Sequence, residues 1–145
     1  MPTPFESASL LLTLYDQRRE DKLRQGRDHF FGFAPKTFEE FMGGIYGPHS
    51  GLIRMVISYW DMACSFVVNG AIDEKMFLDA AGGEFIIVFG KIEPFLAQAR
   101  DAFGNAGFAA NLEKVTMGMP NARERVDTTM SRINAMLAQR AASQN

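Results

Sequence analysis

A chain of 145 residues, 47% hydrophobic and 22% charged, has room for one domain with a hydrophobic core, and its composition excludes wholesale disorder. Fifteen Lys and Arg against seventeen Asp and Glu give a formal charge of −2, with the signs interspersed and no basic stripe to track phosphates, so nucleic acid is not an expected partner. The single cysteine, Cys64, excludes an intrachain disulfide and, with only two histidines, a structural Cys/His zinc centre.

The first element expected is a helix over Ser7 to Arg27, a stretch without proline and rich in helix formers. Its apolar residues Leu10, Leu11, Leu14 and Tyr15 lie in the first half, while Asp16 to Lys22 is wholly polar, so the middle should leave the core as a solvated face. "PKTFEEFMGGIYGPHSG" predicts a short second helix: Thr37 and Glu40 have capping-box spacing, and Phe38, Phe41, Met42 and Ile45 share one face. "RMVISYWDMACSFVV" is the core of a central helix, with Ser50 suited to its start and Gly70 to its stop. Asp73 then caps a short helix closed by Gly82 and Gly83, with Ile72 and Phe77 placed as a hydrophobic staple.

From Glu84 to Phe103, residues Phe85, Phe89, Ile92, Leu96, Ala99 and Phe103 form a continuous helical stripe, with Lys91, Gln98, Arg100 and Asp101 off it. Pro94 lies inside, and its ring presses on the carbonyl of Gly90, so a kink is expected. A shorter helix should follow Gly104 over Phe108, Leu112 and Val115. A last one should begin with Pro120 in its first turn, carry Val126, Met130, Ile133 and Leu137 on one face, and fray at "AASQN". Every periodic segment is helical, and no repeat or linker divides the chain. The fold class expected is all-α, one domain over 1–145: a bundle of four longer helices, one kinked at Pro94, with shorter connecting helices.

The motifs that usually announce chemistry are missing: no phosphate-cradling glycine loop, no HExxH, no glycine-framed nucleophilic serine, no Glu-x-x-His repeat. No cofactor and no metal are expected. Asp28 and His29 point apart on a helix, His49 sits beside a proline in a turn, and Cys64 lies on an apolar helix as an inert core residue. The start "MPTPFESASLLLTLYDQRRE" lacks the basic opening of a signal peptide, and Arg54 and Asp61 interrupt the best apolar run short of a membrane span. A soluble, cytoplasmic protein is expected.

One pattern stands out. Arg54, Ser58, Asp61, Ser65 and Asn69 step by four, three, four and four residues, which gathers every polar side chain of the central helix on one narrow stripe. Such a stripe is either the exposed edge of a nearly buried helix or the part that meets polar groups of other segments. Candidate partners are Glu84, Glu93, Arg100, and Arg18, Arg19 or Arg24 of the first helix. Because Tyr59, Trp60 and Met62 need burial on the flanking faces, a cross-helix or cross-subunit arginine is the partner expected for Asp61.

The segments "RMVISYWDMACSFVVNGAIDEKMFLDAAGG" and "KIEPFLAQAR" resemble the bacterial DUF4760 family. The likeness lies in an aromatic and acidic helix, a Gly-x-Ile-Asp turn at Gly70 to Asp73, a short helix, and a helix with an internal proline before Arg100, within roughly residues 54–115. It implies a helical domain, which in many members follows a membrane segment that this chain is expected to lack. It implies no activity and no functional residues.

Nine Met and thirteen Phe supply more large apolar surface than a small bundle needs, and both residues are enriched at protein interfaces. The function expected first is therefore a non-enzymatic helical module acting by protein association, most simply as a homo-oligomer. Two alternatives stand beside it: a carrier of a small apolar ligand, or an enzyme using a polar pocket of Arg54, Asp61, Tyr59 and Glu93.

Overall fold

The computed structural model describes residues 2–144. The chain is all-α, with nine α-helices among the described residues, one of which is the centre on which four of the others pack. Helix α1 (Pro4–Arg18) opens on a capping box formed by Thr3 and Glu6, with Pro4 in its first turn. The single helix expected over Ser7 to Arg27 is two, because α2 (Asp21–Gly32) restarts after a break at Arg19 and Glu20. No apolar side chain in the polar run from Asp16 to Lys22 can hold a continuous helix to the core. The Glu20 carboxylate accepts from the Leu23 amide and caps the new helix instead.

Helix α3 (Phe38–Tyr46) starts where the spacing predicts, with the Thr37 hydroxyl accepting from the Glu40 amide at 3.1 Å. The return bond goes to Lys36, one residue earlier than a full capping box requires. Helix α4 (Ser50–Val68) is the centre of the fold, burying Ile53, Val56, Ile57, Tyr59, Trp60, Ala63 and Cys64. His49, not Ser50, holds its N-cap position, without a side-chain bond. By length and composition α4 could cross a membrane despite its two charges; here α2, α3, α6 and α8 pack on it. Gly26 lets α2 approach, since a β-carbon there would stand 3.2 Å from the Leu52 carbonyl oxygen.

Helix α5 (Glu74–Ala81) is capped by Asp73 at 3.0 Å, with Ile72 and Phe77 both buried. The long helix expected next is divided at Pro94 into α6 (Glu84–Ile92), a 3₁₀ turn over Glu93–Phe95, and α7 (Leu96–Phe103). Pro94 supplies no amide and crowds the preceding turn, so the kink takes the form of one tighter turn. Gly104, φ 59, ends α7 in the left-handed conformation that glycine adopts without penalty.

Helix α8 (Ala110–Met117) is short. In α9 (Ala122–Ser143) Asn121 holds the N-cap, so Pro120 lies outside the first turn where it was expected, and the helix runs through Ser143 rather than fraying at Ala141. The set of four longer helices is therefore not realised as such: two of the four are split. Phe41, Phe77, Phe85, Phe89 and Trp60 are almost wholly buried in one hydrophobic cluster.

Candidate functional site

Arg54, Ser58 and Asp61, the first three residues of the polar stripe of α4, line an open groove of about 610 Å³ together with Tyr46, Phe103 and Phe108 among others. At its α3 end, Nε of Arg54 donates to the Ile45 carbonyl at 2.9 Å, while the guanidinium lies 5.1 Å from the Tyr46 ring centre. Ile45 is in the last turn of α3, where carbonyls lack helical partners and the helix dipole favours a cation. At the other end, the Leu112 amide donates to Oδ1 of Asp61 at 2.9 Å. Leu112 is in the first turn of α8, whose own N-cap residue, Ala109, offers no side-chain bond. The cation thus meets a helix C-terminus and the anion a helix N-terminus, each matched in sign to the dipole it faces.

Asp61 does take its partner from another segment, but that partner is a backbone amide rather than an arginine. Of the partners expected for the stripe, Arg18 is paired with Glu84, Arg100 with Glu113, and Glu93 with Arg123, while Arg19 and Arg24 take part in no ion pair among the described residues. Ser58, Ser65 and Asn69 bond back to carbonyls of α4 itself. Replacing Asp61 by Ala should therefore cost about 1 kcal/mol, the usual loss for a helix cap, with Asp61→Asn retaining most of the stability because an acceptor remains. Urea unfolding decides it: a loss above about 3 kcal/mol would require a buried charge pair instead.

The four residues grouped from the sequence are not one constellation. Tyr59 is on the far side of α4, buried, where its hydroxyl donates to the Leu14 carbonyl. Desolvation pushes its pKa up to about 12, so it stays neutral. Glu93 receives Arg123 from α9 at 2.7 Å on both oxygens, away from the groove.

The densest polar cluster was not singled out from the sequence as a unit. Glu84, in the first turn of α6, accepts from Arg27 at 2.7 and 2.8 Å, from Arg18 at 3.3 Å and from the Trp60 indole at 3.1 Å. Burial alone would raise its pKa, but the bonds from Arg27 and Trp60, with the charges of Arg27 and Arg18, outweigh it and hold the carboxyl below its ordinary value. Arg27 also donates to the Arg18 carbonyl, so the cluster joins α1, α2, α4 and α6.

Lys91, placed off the apolar stripe, is 3% exposed. Its ammonium donates to the Phe31 and Phe33 carbonyls at 3.0 and 2.7 Å, satisfying the C-terminus of α2. Burial pushes its pKa down from 10.5 to about 8. Between those values the unfolded chain holds a proton that the folded chain releases, so this group makes stability rise with pH across that window. The stability of wild type relative to Lys91→Met should accordingly increase from pH 8 to pH 10.5; a pH-independent difference in chemical unfolding would contradict it.

The two histidines, distant in sequence, meet with ring centres 4.4 Å apart. Among the described residues no group of three or more His, Cys, Asp or Glu gathers as a metal site. Cys64 is buried, and desolvation raises its thiol to about 12, which keeps the thiolate from forming at neutral pH. Residues 4–119 match the family model described as Domain of unknown function (DUF4760). No curated protein and no solved structure matches the chain.

Proposed function

The chain belongs to the DUF4760 family, whose matched region spans α1 to α8 and whose description names no activity; from the geometry we propose a protein-association module that pairs with a second copy through α1. One observation carries this reading. Of the seven large hydrophobic residues left exposed among the described residues, Phe5, Leu10, Leu12 and Tyr15 are all on α1, with Phe5 82% and Leu12 69% exposed. Phe5, Leu12 and Tyr15 are seven and three residues apart, so they share one face of the helix. Isolated exposed apolar residues are ordinary, whereas a grouped set marks an interaction surface.

A second copy is the simplest partner, because two α1 helices related by a two-fold axis present the same apolar face to each other. Light scattering at tens of micromolar protein should give the mass of a dimer. Phe5→Glu and Leu12→Glu should each shift it to the monomer, with little change in helix content because these side chains meet solvent in the isolated chain. A monodisperse wild-type monomer would overturn the reading. The enzyme alternative has less support, since Tyr59 and Glu93 lie apart from Arg54 and Asp61.

A further inference from the structure

Between α1, α4 and α5 lies an apolar cleft of about 220 Å³, lined by Leu11, Leu14, Tyr15, Trp60, Phe77 and Ala81 among others. Its one charged lining residue is Arg18. The guanidinium is held between two aromatic rings, 5.1 Å from the Trp60 centre and 5.8 Å from that of Tyr15. Only Nη2 reaches Glu84, at 3.3 Å, and Nε is buried with no acceptor among the described residues. A buried N–H without an acceptor is costly, which is why such groups are nearly always satisfied.

The charges point the same way. Two guanidiniums, Arg18 and Arg27, share the one carboxylate of Glu84, leaving this cluster with a net positive charge. Asp28, the other acid near Arg27, is exposed and does not line the cleft. An apolar cavity with a single convergent cation is the usual construction for a small ligand that is apolar at one end and anionic at the other.

We propose that this cleft binds a small apolar monocarboxylate, its hydrocarbon part lying between α1, α4 and α5 and its carboxylate accepting from Nε of Arg18. The volume sets the size at roughly six to ten non-hydrogen atoms, since a cavity of about 150 Å³ holds benzene. A carboxylate there supplies the missing acceptor and balances the surplus charge in one step. The aromatic rings beside the guanidinium limit its freedom before the ligand arrives, which lowers the ordering cost of binding.

Trp60 is the only tryptophan and lines the cleft, so its fluorescence reports occupancy directly. Hexanoate should change the emission saturably, hexanol should bind roughly tenfold more weakly or worse, and hexylamine should not bind, because a charge-assisted bond to Arg18 separates the three. Arg18→Gln should abolish the preference for hexanoate over hexanol. Ala80→Phe, which fills the cleft from α5, should abolish binding of both while leaving the charged cluster unchanged. No saturable change with hexanoate, equal affinity for hexanoate and hexanol, or an undiminished preference in Arg18→Gln would each overturn the proposal. The head-group comparison on unmodified protein decides the matter even if a variant fails to fold. Running the titration also on Phe5→Glu, whose site lies outside the cleft lining, separates this result from the state of association: absence of binding in both proteins counts against the cleft alone.

Discussion

Replacing Phe89 by Ala is expected to lower the free energy of unfolding by about 3 to 5 kcal/mol, the range for truncating a buried aromatic side chain. Phe89 is wholly buried on α6, a nine-residue helix that also buries Phe85, Ile86, Val88, Gly90, Lys91 and Ile92. A helix buried on nearly every side cannot easily collapse into the vacated space, because the Met130 side chain of α9 already lies against Gly90 on one flank. A β-carbon at Gly90 would stand 2.4 Å from the Met130 sulfur. Urea unfolding measures the change, and a loss below about 1 kcal/mol would mean that α6 is not buried as described.

Glu84→Ala should cost about 2 to 4 kcal/mol at neutral pH. Removing one member of a buried ionic group costs more than the pairing itself contributes, since the remaining charges stay desolvated; the lower end allows for the side chain being 22% exposed. Here the change leaves two guanidiniums and an indole N–H without their shared acceptor. The pH dependence has a definite sign. The carboxyl titrates below its ordinary 4.5 in the folded chain, so its contribution is fully present above that value and is lost as pH falls through the lowered one. The stability gap between wild type and Glu84→Gln should therefore narrow in acid. A gap that stays constant from pH 7 to pH 3 would show that the carboxylate charge is not what stabilises this cluster.

Local signals were legible and long-range pairings were not. The caps Thr37 and Asp73, and the stop at Gly104, act within three or four residues of where they stand, and the same range covers the helical stripes. The break at Glu20 was missed because a glutamate seldom takes a cap position. The division at Pro94 was placed correctly but read as a bend, since a stripe continuing in phase on both sides does not distinguish a bend from a single 3₁₀ turn. The Glu84 cluster spans 66, 57 and 24 residues of sequence, separations with no period to detect. Lys91 had one faint signal, its position in a run so apolar that no exposed face remained for it. Asp61 does take its partner from another segment, as the apolar flanks of its stripe imply, but that partner is a backbone amide, and an unoccupied amide leaves no trace in residue types.

The two charges of α4 also bear on the order in which the chain takes shape. With nine and eight residues, α3 and α8 are well below the dozen or so that an isolated helix needs to persist in water. Arg54 completes the trailing end of one and Asp61 the leading end of the other, so each holds its form only while α4 is in place beside it. Their amides should exchange with solvent through the opening that releases α4, not through independent fraying, and the three segments therefore come and go as one cooperative unit.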